Sequence, residues 1–131
     1  MKVVALDHGT ARTGVAVCDE TGTVARPLTV VERVGTDAGF AALVSLLEAE
    51  HPGRIVVGLP TSLDGREHAQ ARLARAFSER LAAVVEVPVE LYDERYTSKL
   101  ADQRGGAAAR DARAAATLLE DYLRTVHEQG T

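Results

Sequence analysis

The sequence predicts an α/β fold: a mixed five-stranded sheet with helices on both faces, in the order βββαβαβα. Three observations predict it. Lys2–Leu6 and Arg54–Gly58 are short, mostly apolar runs of the kind that form strands covered on both faces. Three later segments carry apolar residues at helical spacing. From the fourth strand onward, strands alternate with helices, which favours parallel pairing through right-handed crossovers.

In order, Lys2–Leu6 is the first strand and ends at Asp7. Thr13–Cys18 alternates valines with smaller residues and reads as the second. Asp19-Glu20-Thr21-Gly22 is a turn signal, and Thr23–Val31 returns as the third strand of an antiparallel meander. Asp37–Glu50 sets Phe40, Leu43, Val44 and Leu47 on one helix face, and His51-Pro52-Gly53 ends it. Arg54–Gly58 is the fourth strand. Glu67–Val85 is a helix with Leu73, Phe77, Leu81 and Val84 expected inward, and Pro88–Tyr92 is the fifth strand. The last helix contains Asp111–Val126, with Ala115, Leu118, Leu119, Tyr122 and Val126 on one face; a short helix after Thr97 is a further expectation.

The chain of 131 residues has the length of one domain, expected to span 1–131. Its 46% hydrophobic and 26% charged residues exclude a disordered chain. The longest uncharged stretch, Ala38–Leu47, is too short for a membrane span. The N-terminus lacks a signal-peptide apolar region, since Asp7 interrupts it, so a cytoplasmic location without membrane association is expected. The single cysteine, Cys18, agrees with a reducing compartment and reads as core. The net charge of −4 argues against a surface that coats duplex nucleic acid, so any such contact needs a local patch. All cations except Lys2 and Lys99 are arginines, whose forks suit phosphate.

Three carboxylates stand where elements begin or end: Asp7 after the first strand, Glu94 after the last, and Asp111 near the start of the final helix. If the first and fifth strands are parallel, Asp7 and Glu94 emerge at one edge, where ligands of such sheets bind. Asp111 shares the apolar stripe of its helix and is expected to turn inward. Converging acids repel, and a divalent cation relieves the conflict. Oxygen donors suit one or two Mg²⁺ or Mn²⁺ ions, the arrangement used for phosphodiester displacement. The plainer roles are a turn for Asp7, a cap for Asp111 and an exposed side chain for Glu94.

Around these acids, Gly9 and Gly14 bracket a tight link in which glycine permits close approach or positive φ. Thr10 and Arg12 add a hydroxyl and a cation for substrate. Thr61 and Ser62 follow the fourth strand at the same edge and could position a phosphate or sugar. Arg95, Tyr96, Thr97, Ser98 and Lys99 group cations, an aromatic and hydroxyls beside Glu94, as a nucleic-acid backbone requires. Each of these segments reads equally well as an ordinary turn or solvated loop. The histidines lack zinc spacing; His8 adjoins Asp7, and His51, His68 and His127 read as surface residues. Gly-rich nucleotide fingerprints of the P-loop kind are absent.

Ala5–Asp19 (ALDHGTARTGVAVCD), Ala25–Leu28 (ARPL), Ile55–Gly65 (IVVGLPTSLDG), Asp93–Ser98 (DERYTS) and Asp111–Leu123 (DARAAATLLEDYL) together resemble the YqgF family. The resemblance runs from Val3 to about Leu123. It implies an RNase H-like three-layer fold and metal-dependent phosphodiester hydrolysis, in a role processing the 5′ end of the 16S rRNA precursor, within a ribosomal particle or free. The family's acidic positions fall on Asp7, Glu94 and Asp111, and its substrate-facing motifs on Arg12 and Arg95–Ser98. Two departures stand out. Ala11 replaces a common lysine, and the segment between Arg95 and Asp111 is shorter and less basic than usual. Three other readings stay open: a resolvase of four-way DNA, which would favour a homodimer over a monomer, a non-catalytic RNA-binding assembly factor, and an ATP-binding relative suggested by the Asp7-x-Gly-Thr hairpin.

Overall fold

The computed structural model describes residues 1–19, 21–22, 24–60, 69–93 and 107–129. They form β1 (Val3–Asp7), β2 (Arg12–Cys18), β3 (Ala25–Glu32), α1 (Asp37–Glu50), β4 (Arg54–Leu59), α2 (Ala69–Ala82), β5 (Val89–Asp93) and α3 (Ala107–Gln129). The order is the expected βββαβαβα. The helix expected after Thr97 lies outside the described residues.

The sheet runs β3-β2-β1-β4-β5. β1 pairs antiparallel with β2, and β2 with β3; β4 runs parallel to both β1 and β5. The meander and the parallel half both match the sequence reading. β3 is an edge strand, which is where Pro27 is tolerated because no ladder donor is needed on its open side.

Strand alternation divides the core between two faces. Val4, Leu6, Val15, Val17, Ile55 and Val57 meet Phe40, Leu43 and Leu47 of α1 and Phe77 and Leu81 of α2. Val3, Ala5, Ala16, Cys18 and Val56 meet Ala115, Leu118, Leu119 and Tyr122 of α3. β1 has helices on both faces, which explains its unbroken apolar run.

α1 starts at an N-cap: the Thr36 side chain accepts a hydrogen bond from the Gly39 amide at 3.1 Å. It stops at His51, which takes the left-handed conformation (φ 51°) and donates its amide to the Leu47 and Glu48 carbonyls. Two helix faces differ from expectation. In α2 the buried stripe is Ala71, Ala74, Phe77, Ser78 and Leu81, while Leu73 is 46% exposed. Small alanines let α2 approach Leu59, which turns Leu73 onto the flank. Val84 lies past the end of α2 and is exposed. In α3, Tyr122 already reaches Arg54 at the first residue of β4, so Val126, one turn on, has outrun the strand and is exposed as well.

Candidate functional site

Asp7 is the last residue of β1, at the carboxyl edge of the parallel strands. Alternation puts it on the face of Val3 and Ala5, under α3. Its antiparallel partner is Gly14. A Cβ at Gly14 would overlap the Asp111 carbonyl oxygen, lie 2.6 Å from the Asp111 carbonyl carbon and 3.2 Å from the Ala112 amide nitrogen. Gly14 is thus a point of close backbone contact between α3 and the sheet, and the contact sets the Asp111 backbone beside the β1–β2 pair that ends in Asp7. The Asp111 backbone packs on Gly14, the ladder partner of Asp7. Asp111 occupies the second turn of α3, which begins at Ala107, so it is neither a cap nor a first-turn acid.

Arg12, on the same face as Gly14, donates from Nε to Oδ2 of Asp111 at 2.8 Å. The pair is about one-third exposed on each side. An ion pair this wet contributes only about 0–1 kcal/mol to stability, so its value lies in orientation: the guanidinium holds the Asp111 carboxylate and partly offsets its charge. The sequence reading took Arg12 as a substrate cation and did not foresee this pairing; no local pattern links positions 12 and 111.

Gly9 also serves close approach, since a Cβ there would overlap the Arg12 carbonyl oxygen and tighten against the β1–β2 turn. Neither Gly9 nor Gly14 has positive φ; among the described glycines that is Gly22. Thr10 is exposed on this turn. His8 points away from Asp7, as adjacent strand positions must. It stacks on Phe77 of α2 with ring centroids 4.7 Å apart, and burial holds its pKa below the ordinary histidine value. Cys18 is buried, as expected of a core residue. Glu94, Thr61, Ser62, Arg95, Thr97, Ser98 and Lys99 lie outside the described residues. β5 ends at Asp93 on the same edge as Asp7. Among the described residues no three metal-ligating side chains form a group.

The geometry therefore places Asp7 and the Arg12-paired Asp111 at the ligand edge of a mixed sheet. A family model described as RuvX, Holliday junction resolvase, matches residues 1–125. The chain belongs to this family. RuvX relatives named "Putative pre-16S rRNA nuclease" include proteins of Anaeromyxobacter sp. (strain Fw109-5), 43% identical, with 94% of this chain and 96% of the relative covered. A relative of the same name from Maridesulfovibrio salexigens is 39% identical, with 94% and 98% covered. Among solved structures, RuvC of T. thermophilus in complex with a Holliday junction substrate aligns with a TM-score of 0.57 at 20% identity, covering 100% of this chain and 97% of that one. Fowlpox virus resolvase aligns at 0.50 and 10% identity, covering 98% and 97%. These likenesses place the RuvX chain in the RNase H-like resolvase fold, the architecture read from its sequence motifs.

Proposed function

We propose that this RuvX-family chain is a metal-dependent nuclease, residues 1–131 acting as one domain, that hydrolyses phosphodiester bonds at the 5′ end of pre-16S rRNA in a bacterial cytoplasm. The observation that carries the reading is the packing of the Asp111 backbone on Gly14, the ladder partner of Asp7, in a chain whose near-full-length relatives bear the nuclease name. The donor set fits a hard divalent cation, because both groups are carboxylates and stand at an open edge. Asp7, Asp111 and, from the sequence, Glu94 would hold Mg²⁺ or Mn²⁺. When bound, such ions supply a water of lowered pKa and charge stabilisation at the phosphate.

The chain's own residues do the rest. Arg12 keeps Asp111 oriented while its remaining guanidinium donors stay available to a substrate phosphate. Thr10 presents a hydroxyl and backbone on the turn beside it. Thr61, Ser62, Arg95, Thr97, Ser98 and Lys99 would grip the strand backbone, consistent with RNA as partner. No helix among the described residues is long and apolar enough to cross a membrane. The chain would act away from membranes, as a monomer or homodimer.

The family's description favours a second reading, cleavage of four-way DNA. One experiment separates them: end-labelled RNA carrying the 16S 5′ leader and a four-way DNA junction, each incubated with Mg²⁺, Mn²⁺ or EDTA, beside Asp7→Asn. The proposal expects RNA cleavage that needs metal and is abolished in a folded Asp7→Asn protein. Symmetric junction cutting without RNA cleavage would move the assignment to the resolvase, and full activity of Asp7→Asn would remove Asp7 from the site.

A further inference from the structure

On the far side of β1 from Asp7 lies a cavity of about 310 Å³, lined by His8, Thr10, Val34, Leu73, Phe77 and Arg80 among others. Its volume is at the small end for ligand sites, enough for one ring system and its attachments but not for a duplex. Its walls are chiefly apolar, and the stacked His8–Phe77 pair gives it an aromatic surface. Leu73 leaves nearly half its surface exposed at the rim. The polar groups are few. Thr10 brings a hydroxyl. Arg80 is fixed by its position over the Phe40 ring, 3.9 Å from the centroid, and by Asp37 at 3.3 Å. Nδ1 of His8, a buried atom in the cavity wall, has no hydrogen-bond partner among the described residues. Buried polar atoms are rarely left so.

We propose that this cavity receives one unpaired nucleobase of the strand whose phosphate lies at Asp7. The proposal rests on the nuclease reading and names what that site requires of its substrate. A planar heteroaromatic ring is the ligand that uses an aromatic wall, an apolar rim and a few hydrogen-bonding groups together. A lone phosphate would find a single arginine among chiefly apolar walls, and a metal ion would find a single imidazole beside a guanidinium. Location makes the same case. His8 follows Asp7 directly, and Thr10 and Arg12 share one turn, with Thr10 at the cavity and Arg12 at Asp111. A strand crossing the turn can rest its phosphate on one face and its base on the other, which a base held in a duplex cannot do.

The test uses the full chain in EDTA, so that binding is read without cleavage. Single-stranded RNA of the 16S leader is prepared with an abasic nucleotide at each position in turn, and affinity is measured by fluorescence anisotropy. One position is expected to weaken binding about tenfold, the order of one lost base–aromatic stack. That sensitivity should vanish in Leu73→Glu, a change at an exposed position, and in Phe77→Leu. The same walk on single-stranded DNA tells whether the cavity also accepts deoxynucleotides; the same sensitivity there supports a site for either sugar. Absence of RNA binding, a walk with no sensitive position, or a sensitive position that persists in Leu73→Glu would each overturn the proposal. Cleavage with a flat walk sinks the cavity and leaves the nuclease; a base-sensitive walk without cleavage does the reverse.

Discussion

A methyl group added at Gly14 would press on the backbone of Asp111 and Ala112, so Gly14→Ala should push the N-terminal part of α3 off the sheet. Overpacking of this kind costs about 1–3 kcal/mol, readable in urea unfolding. The same displacement moves one carboxylate relative to the other, and a misplacement near 1 Å can cost about 100-fold in rate. Gly14→Ala should therefore lose far more cleavage than stability at a temperature where it remains folded. Equal activity to the parent would show that the Gly14 contact does not position the site. Arg12 separates the two quantities differently. Its pairing with Asp111 is partly solvated, so Arg12→Ala should shift unfolding by no more than about 1 kcal/mol. RNA affinity should fall, and the slope of log affinity against log salt should become shallower by about 0.7 if one phosphate contact is lost. An unchanged slope would confine Arg12 to holding Asp111.

At the scale of elements, α1 and α3 make opposite predictions because they cover opposite faces. Thr36 caps α1 through Gly39, and Gly39 itself fits only because a Cβ there would meet Arg33 and Glu32 backbone atoms at 2.5 and 2.6 Å. Thr36→Ala should cost about 1 kcal/mol of stability and leave cleavage unchanged, since α1 packs away from Asp7; a matched loss of cleavage would contradict that separation. α3 is anchored at its other end by Tyr122, which donates to Glu90 at 3.2 Å and accepts from Arg54 at 2.9 Å. Burial, moderated by Arg54, raises the Tyr122 pKa above the ordinary value of 10.0. An unfolded tyrosine loses its proton near pH 10, while folded Tyr122 holds it to higher pH. Above pH 10 the folded state thus carries the extra proton, and stability falls as pH rises toward the folded pKa. Tyr122→Phe should flatten that decline in pH-dependent unfolding. The elements themselves were legible because alternation and helical spacing leave direct marks: β1 apolar on both faces, Phe40-Leu43-Leu47 on one side of α1. The buried face of α2 was not, because Ala71 and Ala74 face the sheet for closeness and hydropathy alone favours Leu73. Asp7 and Asp111 were legible as acids near element ends that were expected to converge. The Gly14 contact that seats the Asp111 backbone on the ladder partner of Asp7 was not, since it depends on a missing side chain. The opposite orientations of Asp7 and His8 follow from strand parity, but the cavity beneath His8 needed Phe77, far along the chain.

For the whole molecule, the acidic balance of −4 means that any attraction to nucleic acid has to be local; at the carboxyl edge it would fall to Arg12, since Asp7 and Asp111 repel phosphate until a cation is bound. On the proposed reading, a divalent cation at this edge would take its oxygens from Asp7 and Asp111. A ligand that binds only the folded state stabilises it by an amount that grows with the logarithm of its concentration over its Kd: at 100 times Kd the gain is about 2.7 kcal/mol. A chain of 131 residues converts that into roughly 10 °C of melting temperature. Titration with Mn²⁺, from an EDTA-treated baseline, should raise the melting temperature on this scale. Asp7→Asn should lose most of the rise, and Thr36→Ala should keep all of it from a lower starting point. The contrast matters because general ionic stabilisation would act on both variants alike, whereas a site built from Asp7 and Asp111 fails only when one of its own oxygens is removed. An identical rise in Asp7→Asn would place the metal elsewhere on the molecule and leave the Gly14 junction as a structural contact alone.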